Sequence, residues 1–263
     1  MRAAEIPLFG GTANRGQVYR VGHTVRRPLR RSAPGVHALL RHLEDVGFDG
    51  APRVLGVDDE GREVLTYVPG DAVIAPAPAW GLTDAALRSV GQLLRRFHDA
   101  AASFDPSPFD WPHRPAHSGS AEGMAHNDPN LDNVVFRDGR AVALIDFDLA
   151  APGPSLWDVA ATARLWAPLR SDRDIADVRR GRGIVRTRIL ADAYGLDDAG
   201  RAGLVEAVRA SHDWICGIVA DGAMRGVPGF ASYWGPDAAA RAWRTNAWIA
   251  QHAAAITDTC LRP

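Results

Sequence analysis

The chain has 263 residues, 46% hydrophobic and 23% charged, proportions that exclude a disordered tail, a collagen-like repeat or a low-complexity protein. A formal net charge of -1 supplies no global basic field for nucleic acid or a membrane surface. Two cysteines, Cys216 and Cys260, cannot form a disulfide framework or a four-thiolate zinc site. Met1 to Gly11 has too little apolar length for a signal peptide, and no run reaches the roughly 18 apolar residues of a membrane span. The expectation is a cytoplasmic protein with no nucleic-acid or membrane partner.

The first 68 residues read as β-rich. Ile6 to Phe9, Gln17 to Val21 and Thr24 to Arg27 are strand candidates, with Gly22-His23 as a two-residue hairpin turn. Val36, Leu39, Leu40, Leu43 and Val46 then recur at helical spacing, and Gly47 to Pro52 ends that helix. Two more strands, Arg53 to Val57 and Arg62 to Val68, follow around an Asp-Asp-Glu-Gly turn. After the break at Pro69-Gly70 the period becomes helical, with Leu87, Val90, Leu94 and Phe97 on one face. A β-type pair, Asn133 to Phe136 and Ala141 to Ile145, turns at Asp138-Gly139, and the chain from Trp157 onward reads as helical. The order predicts an α+β protein of two lobes: a small antiparallel β-lobe over residues 1–68 and a larger, mainly helical lobe over residues 69–263, with a cleft between them.

The chemistry is concentrated in His126-Asn127-Asp128-Pro129-Asn130-Leu131-Asp132-Asn133, followed by Leu144-Ile145-Asp146-Phe147-Asp148. Asp and Asn are common turn formers, and singly each would be read that way. Together, with Asn133 five residues after Asp128 and Asp146 thirteen further on, they fit phosphoryl transfer. That reaction needs a carboxylate to orient and deprotonate a hydroxyl, and hard oxygen ligands for magnesium.

This stretch resembles the His-Gly-Asp-x-x-x-x-Asn and Ile-Asp-(Phe/Trp)-(Asp/Glu) motifs of the aminoglycoside phosphotransferase and choline kinase-like family, and the resemblance extends over essentially the whole chain. It implies a bilobal protein kinase-like fold, ATP or GTP with Mg²⁺, and phosphate transfer to a hydroxyl of a small molecule: an aminoglycoside, another antibiotic or a metabolite alcohol. By the same resemblance Asp128 is the catalytic base, and Asn133 and Asp146 are the metal ligands. Asp148 has a supporting or second-metal role, and Asp158 hydrogen-bonds the catalytic-loop backbone. Gly10 to Pro28 resembles the nucleotide-covering hairpin, and Leu65 to Gly70 the inter-lobe linker, where Tyr67 and Val68 would meet the nucleotide base. His126 and His98 are expected to be structural, and Glu44 a solvated surface residue.

Several positions depart from the family pattern. Asn127 stands where glycine is usual, which implies a left-handed backbone that Asn can reach. All 30 basic residues are arginine, so the phosphate-contacting position of the third strand falls to Arg26. The helical Glu that pairs with that cation is missing, its region holding Val36, His37 and Ala38. The lost lysine and glutamate motivate a competing reading, a kinase-like nucleotide- or ligand-binding protein with weak catalysis; the complete Asp128, Asn133 and Asp146 set argues against it. The resemblance places the acceptor pocket between Trp157 and Pro263. A polycationic acceptor would need carboxylates there, from Asp197, Asp198, Glu206, Asp213, Asp221 and Asp237, in a region also dense in arginine.

Overall fold

The computed structural model describes residues 4–8, 16–115 and 123–262. Five short strands, β1 (Glu5–Pro7), β2 (Tyr19–Val21), β3 (Thr24–Pro28), β4 (Val54–Val57) and β5 (Arg62–Thr66), form an antiparallel sheet in the order β1-β2-β3-β5-β4. Gly22 takes φ 61°, which permits the tight β2–β3 turn expected there. The glycine-rich loop from Gly10 lies outside the described residues as far as residue 15.

Register fixes what the sheet presents. Arg27 lies directly opposite Glu63, and Val25 opposite Leu65, so these four side chains share one face. That face is the covered one: Arg27, Glu63 and Leu65 are all buried. Helix α1 (Ala33–Asp45) buries Val36, His37, Leu39, Leu40 and Leu43.

Tyr67 to Gly70 link this sheet to the rest of the chain, and the short strand β6 (Asp71–Ala72) then joins a second sheet. Gly70 has φ 145°, and a Cβ there would collide with the Phe136 carbonyl oxygen. Helix α2 (Asp84–Ala101) starts at Thr83, whose hydroxyl accepts from the Ala86 N–H at 3.1 Å. It buries a continuous stripe from Ala86 through Leu87, Val90, Leu94 and Phe97 to Ala101.

The pair β7 (Met124–Ala125) and β10 (Ala151–Pro152) brackets the motif segment. Inside the bracket, β8 (Val134–Arg137) and β9 (Arg140–Leu144) form the expected hairpin, with Asp138 and Gly139 at φ 51° and 73°. Helices α3 (Ser155–Trp166), α4 (Gly183–Tyr194), α5 (Asp198–Met224), α6 (Pro228–Tyr233) and α7 (Pro236–Leu261) make up the remainder. The three two-residue strands β6, β7 and β10 escape sequence reading because two residues carry no period. No helix among the described residues is long and apolar enough to cross a membrane.

Candidate active site

The catalytic-loop segment is held from beneath by a buried carboxylate. Asp158, on the first turn of α3 and fully inaccessible, accepts the backbone N–H of His126 at 2.6 Å and of Asn127 at 2.7 Å. His98 from α2 reaches the same carboxylate at 3.0 Å and pairs with the Tyr194 hydroxyl at 2.8 Å. Asn127 takes φ 66°, so Asn adopts the left-handed conformation expected at that glycine position. Its side-chain amide donates to the Leu149 carbonyl at 2.7 Å. The His126 ring is buried against Phe147 and lies 3.0 Å from the Ile145 carbonyl; burial holds its pKa below the ordinary histidine value. Trp166 of α3 fixes the other side, its indole N–H donating to the Pro129 carbonyl at 2.9 Å.

These anchors aim Asp128, Asn133 and Asp146 into one cleft of about 830 Å³. The Asn130 and Asn133 amides donate to the Asp128 carboxylate at 2.5 and 3.0 Å. Burial, reinforced by the neighbouring Asp146 and Asp132 carboxylates, pushes the Asp128 pKa up to about 8. Asp146 takes φ 62°, a strained left-handed conformation for a non-glycine residue, and presents its carboxylate at the mouth of the strand pair. Asp148 lines the same wall.

The cation that meets these carboxylates is Arg27, not Arg26. Arg27 Nε donates to Glu63 at 2.7 Å, and its two terminal nitrogens reach Asp146 and Asp148, each at 2.6 Å. Although burial disfavours its charge, Asp148, Asp146 and Glu63 together raise its pKa further above the arginine range. Arg26 points to the opposite face of the strand, where it pairs with Asp58 at 3.1 Å. The sequence reading of Arg26 is therefore displaced by one residue, which inverts the face. Arg27 is buried, although four arginines, at 26, 27, 30 and 31, crowd this short segment. His37, in the helical region that lacks the expected Glu, lies 2.9 Å from the second oxygen of Glu63. Sequence reasoning missed both Glu63 and His37. The available signal was a charged residue alternating with Leu65 on the covered face of β5.

Tyr67 and Val68 sit in the linker and do not line the cleft. The Tyr67 N–H donates to the His23 carbonyl at 2.8 Å, and the Arg20 guanidinium stacks over its ring at 4.0 Å. Glu44 is a partly exposed partner of Arg53, as expected of a surface residue. The six acids considered for a polycation are all absent from the cleft wall. Asp197 caps α5 by accepting the Gly200 N–H at 2.8 Å, Asp213 accepts from Asn246, and Asp221 pairs with Arg225.

A five-stranded antiparallel sheet with one helix, joined by a short linker to a helical bulk that carries the Asp/Asn/Asp loop, defines a protein kinase-like phosphotransferase fold. Residues 108–193 match the phosphotransferase enzyme family. The trifolitoxin immunity protein of Rhizobium leguminosarum bv. trifolii is 39% identical over 213 residues, which cover 77% of this chain and 78% of that protein. The chain belongs to this phosphotransferase family. Solved structures show the same fold. A choline/ethanolamine kinase family protein from Mesorhizobium loti superposes with a TM-score of 0.65 at 18% identity, covering 97% of this chain and 93% of that one. A microcompartment-associated aminopropanol kinase gives 0.60 at 16% identity over 99% and 94%. The GDP complex of aminoglycoside 2'-phosphotransferase-IIIa gives 0.57 at 12% identity over 99% and 93%.

Proposed function

We propose that this chain transfers the γ-phosphate of ATP or GTP, with Mg²⁺, to a hydroxyl of a small molecule. The observation that carries this reading is the convergence of Asp128, Asn133 and Asp146 in one cleft, opposite a buried guanidinium that spans Glu63, Asp146 and Asp148. The solved structures of the same fold, among them a choline/ethanolamine kinase family protein, an aminopropanol kinase and an aminoglycoside 2'-phosphotransferase in complex with GDP, support the same class.

The residues fit magnesium. Asn133 and Asp146 offer hard oxygen donors, and Asp146 lines the cleft together with Asp128 and Asp132, negative charge for a divalent cation to neutralise. When bound, Mg²⁺ would neutralise the phosphate oxygens. Arg27 would neutralise the phosphates from the sheet side, and the base would reach beyond the cleft lining to the Tyr67–Val68 linker. Asp128 would accept the acceptor's hydroxyl proton as the new oxygen–phosphorus bond forms and the bond to the β-phosphate bridging oxygen breaks, releasing nucleoside diphosphate. On this reading residues 1–68 form the nucleotide lobe and residues 69–263 the catalytic and acceptor lobe.

The test is phosphate transfer by wild type and Asp128→Asn. The variant should lose transfer by about a hundredfold or more while binding nucleotide within a few fold, because Asp128 serves the acceptor. Near-wild-type kcat in the variant would remove Asp128 from this role.

A further inference from the structure

Part of the cleft wall is lined by arginine. Arg164 of α3 and Arg170, just beyond its C-terminus, both face the cavity, with Arg241 of α7 at its exposed rim. Arg164 Nε is fully buried and has no hydrogen-bond partner. Among the described residues no carboxylate stands within ion-pair distance of Arg164 or Arg170. The other enclosed arginines differ in this respect: Arg27 is matched by Glu63, Arg179 by Asp177 and Arg186 by Asp84.

Burial lowers the pKa of both guanidiniums, and each is lowered further by a neighbouring arginine, Arg164 by Arg170 and Arg170 by Arg179. The two acids that act on Arg170 are already engaged: Asp174 by both ends of the Arg244 fork at 3.1 and 2.7 Å, and Asp177 by Arg179 at 2.8 Å. Arg164 is also close enough to Asp128 to lower its pKa, so this positive wall lies beside the group that would receive the hydroxyl proton.

We propose that the acceptor carries an anionic group, a carboxylate or a phosphate, and that Arg164 and Arg170 bind it while its hydroxyl meets Asp128. Two neighbouring guanidiniums without a carboxylate partner are stabilised by an incoming anion, and their planar donors match carboxylate and phosphate oxygens. A polycationic acceptor would meet like charge at this wall, and Asp197, Asp198, Glu206, Asp213, Asp221 and Asp237 do not line the cleft. The inference rests on the phosphotransferase reading above and narrows its acceptor.

Two measurements on the full chain test it separately from that reading. Sulfate is the minimal anionic probe: compared with chloride at equal ionic strength, it should raise the Tm of wild type, and the increment should vanish in Arg164→Gln and Arg170→Gln. An increment absent from wild type, or unchanged in both variants, overturns the proposal. If Arg164→Gln does not fold, Arg170→Gln carries the readout. The second measurement is transfer from Mg²⁺-ATP and Mg²⁺-GTP to D-glycerate and glycerol 3-phosphate, against glycerol, choline and kanamycin. One of the two anions should exceed the other three acceptors by at least about tenfold in kcat/KM, and which one leads separates the carboxylate from the phosphate. Arg170→Gln should raise the KM for that anion by about tenfold or more at nearly unchanged kcat. Preference for choline, kanamycin or glycerol overturns the anion assignment and leaves the kinase reading standing. Absence of both a nucleotide-induced Tm shift and any transfer fails the kinase reading, while the sulfate increment still reports on the arginine pair.

Discussion

Replacing Arg27 and Arg26 separately with Gln tests the strand register that positions the cation. Glu63 is almost inaccessible and holds two partners, Arg27 at 2.7 Å and His37 at 2.9 Å. Arg27→Gln removes the guanidinium and leaves Asp146 and Asp148 without their bridge as well. Breaking one side of a buried ion pair costs about 3–5 kcal/mol. At roughly 2–4 °C per kcal/mol for a chain of this size, Tm should fall on the order of 10 °C. Arg26 is about a third exposed and pairs with Asp58, which Arg62 also holds, so Arg26→Gln should cost less than about 1 kcal/mol. Activity should divide in the same way. Nucleotide KM should rise by tenfold or more in Arg27→Gln, the loss of one charge-assisted contact, and stay within about twofold in Arg26→Gln. Thermal denaturation and initial rates at varied Mg²⁺-nucleotide check both halves. Equal effects of the two variants, or a larger effect of Arg26→Gln, would refute the register argument and return the phosphate contact to Arg26.

Asp146→Ala should weaken Mg²⁺-nucleotide binding by about tenfold or more in calorimetry while leaving metal-free nucleotide affinity close to wild type. Asp158→Asn retains one acceptor oxygen for two backbone N–H groups, so one is left unpaired in a buried site. A loss of about 1–3 kcal/mol should appear in the denaturant midpoint, and kcat should fall as the Asp128 loop loosens. Glu63 gives an acid limb to stability. Burial alone would raise its pKa, but the His37 hydrogen bond and the Arg27 charge outweigh this and hold it below 4.5. A depressed folded-state value contributes stability above the unfolded pKa and loses it as pH falls through the folded one. Wild type should therefore lose stability on acidification below about pH 4.5, and Glu63→Gln should flatten that limb in pH-dependent unfolding.

The motif segment was legible because its information is local. Asp128, Asn133 and Asp146 are tied to the β8–β9 hairpin by sequence spacing, and the hairpin is announced by Asp138-Gly139. The role of Asp158 follows from the family pattern, and its hydrogen bonds to the loop backbone agree; His98, read from the apolar stripe of its helix as a structural residue, is buried with Asp158 and Tyr194 as partners. The cation was legible only to within one residue. Thr24-Val25-Arg26-Arg27 offers two adjacent arginines and no apolar alternation to choose between them, except that Val25 shares the face of Arg27. A one-residue choice decides which side of a sheet a side chain occupies. Glu63 is 36 residues from Arg27, and only strand pairing brings them opposite one another. The acceptor wall was the least legible part. A count of acids and arginines in the helical region cannot say which of them pair with each other, and in the folded chain Asp197 caps a helix and Glu206 and Asp221 pair at the surface while Arg164 and Arg170 face the cleft.

The absence of lysine and of the helical glutamate has one structural answer. A lysine presents one nitrogen on a flexible stem, whereas the guanidinium presents donors in fixed, diverging directions. At position 27 that fork sends Nε back to the neighbouring strand and the two terminal nitrogens outward to Asp146 and Asp148. The orienting carboxylate then has to lie beside the strand rather than on the helix, and Glu63 is directly opposite in register. The helix keeps a connection at one remove, since His37 holds the other oxygen of Glu63. Movement of α1 would thus reach Arg27 through two hydrogen bonds instead of a direct ion pair. Arg27→Lys should accordingly fail to restore what Arg27→Gln loses: a single ammonium cannot satisfy Glu63 and still span both aspartates.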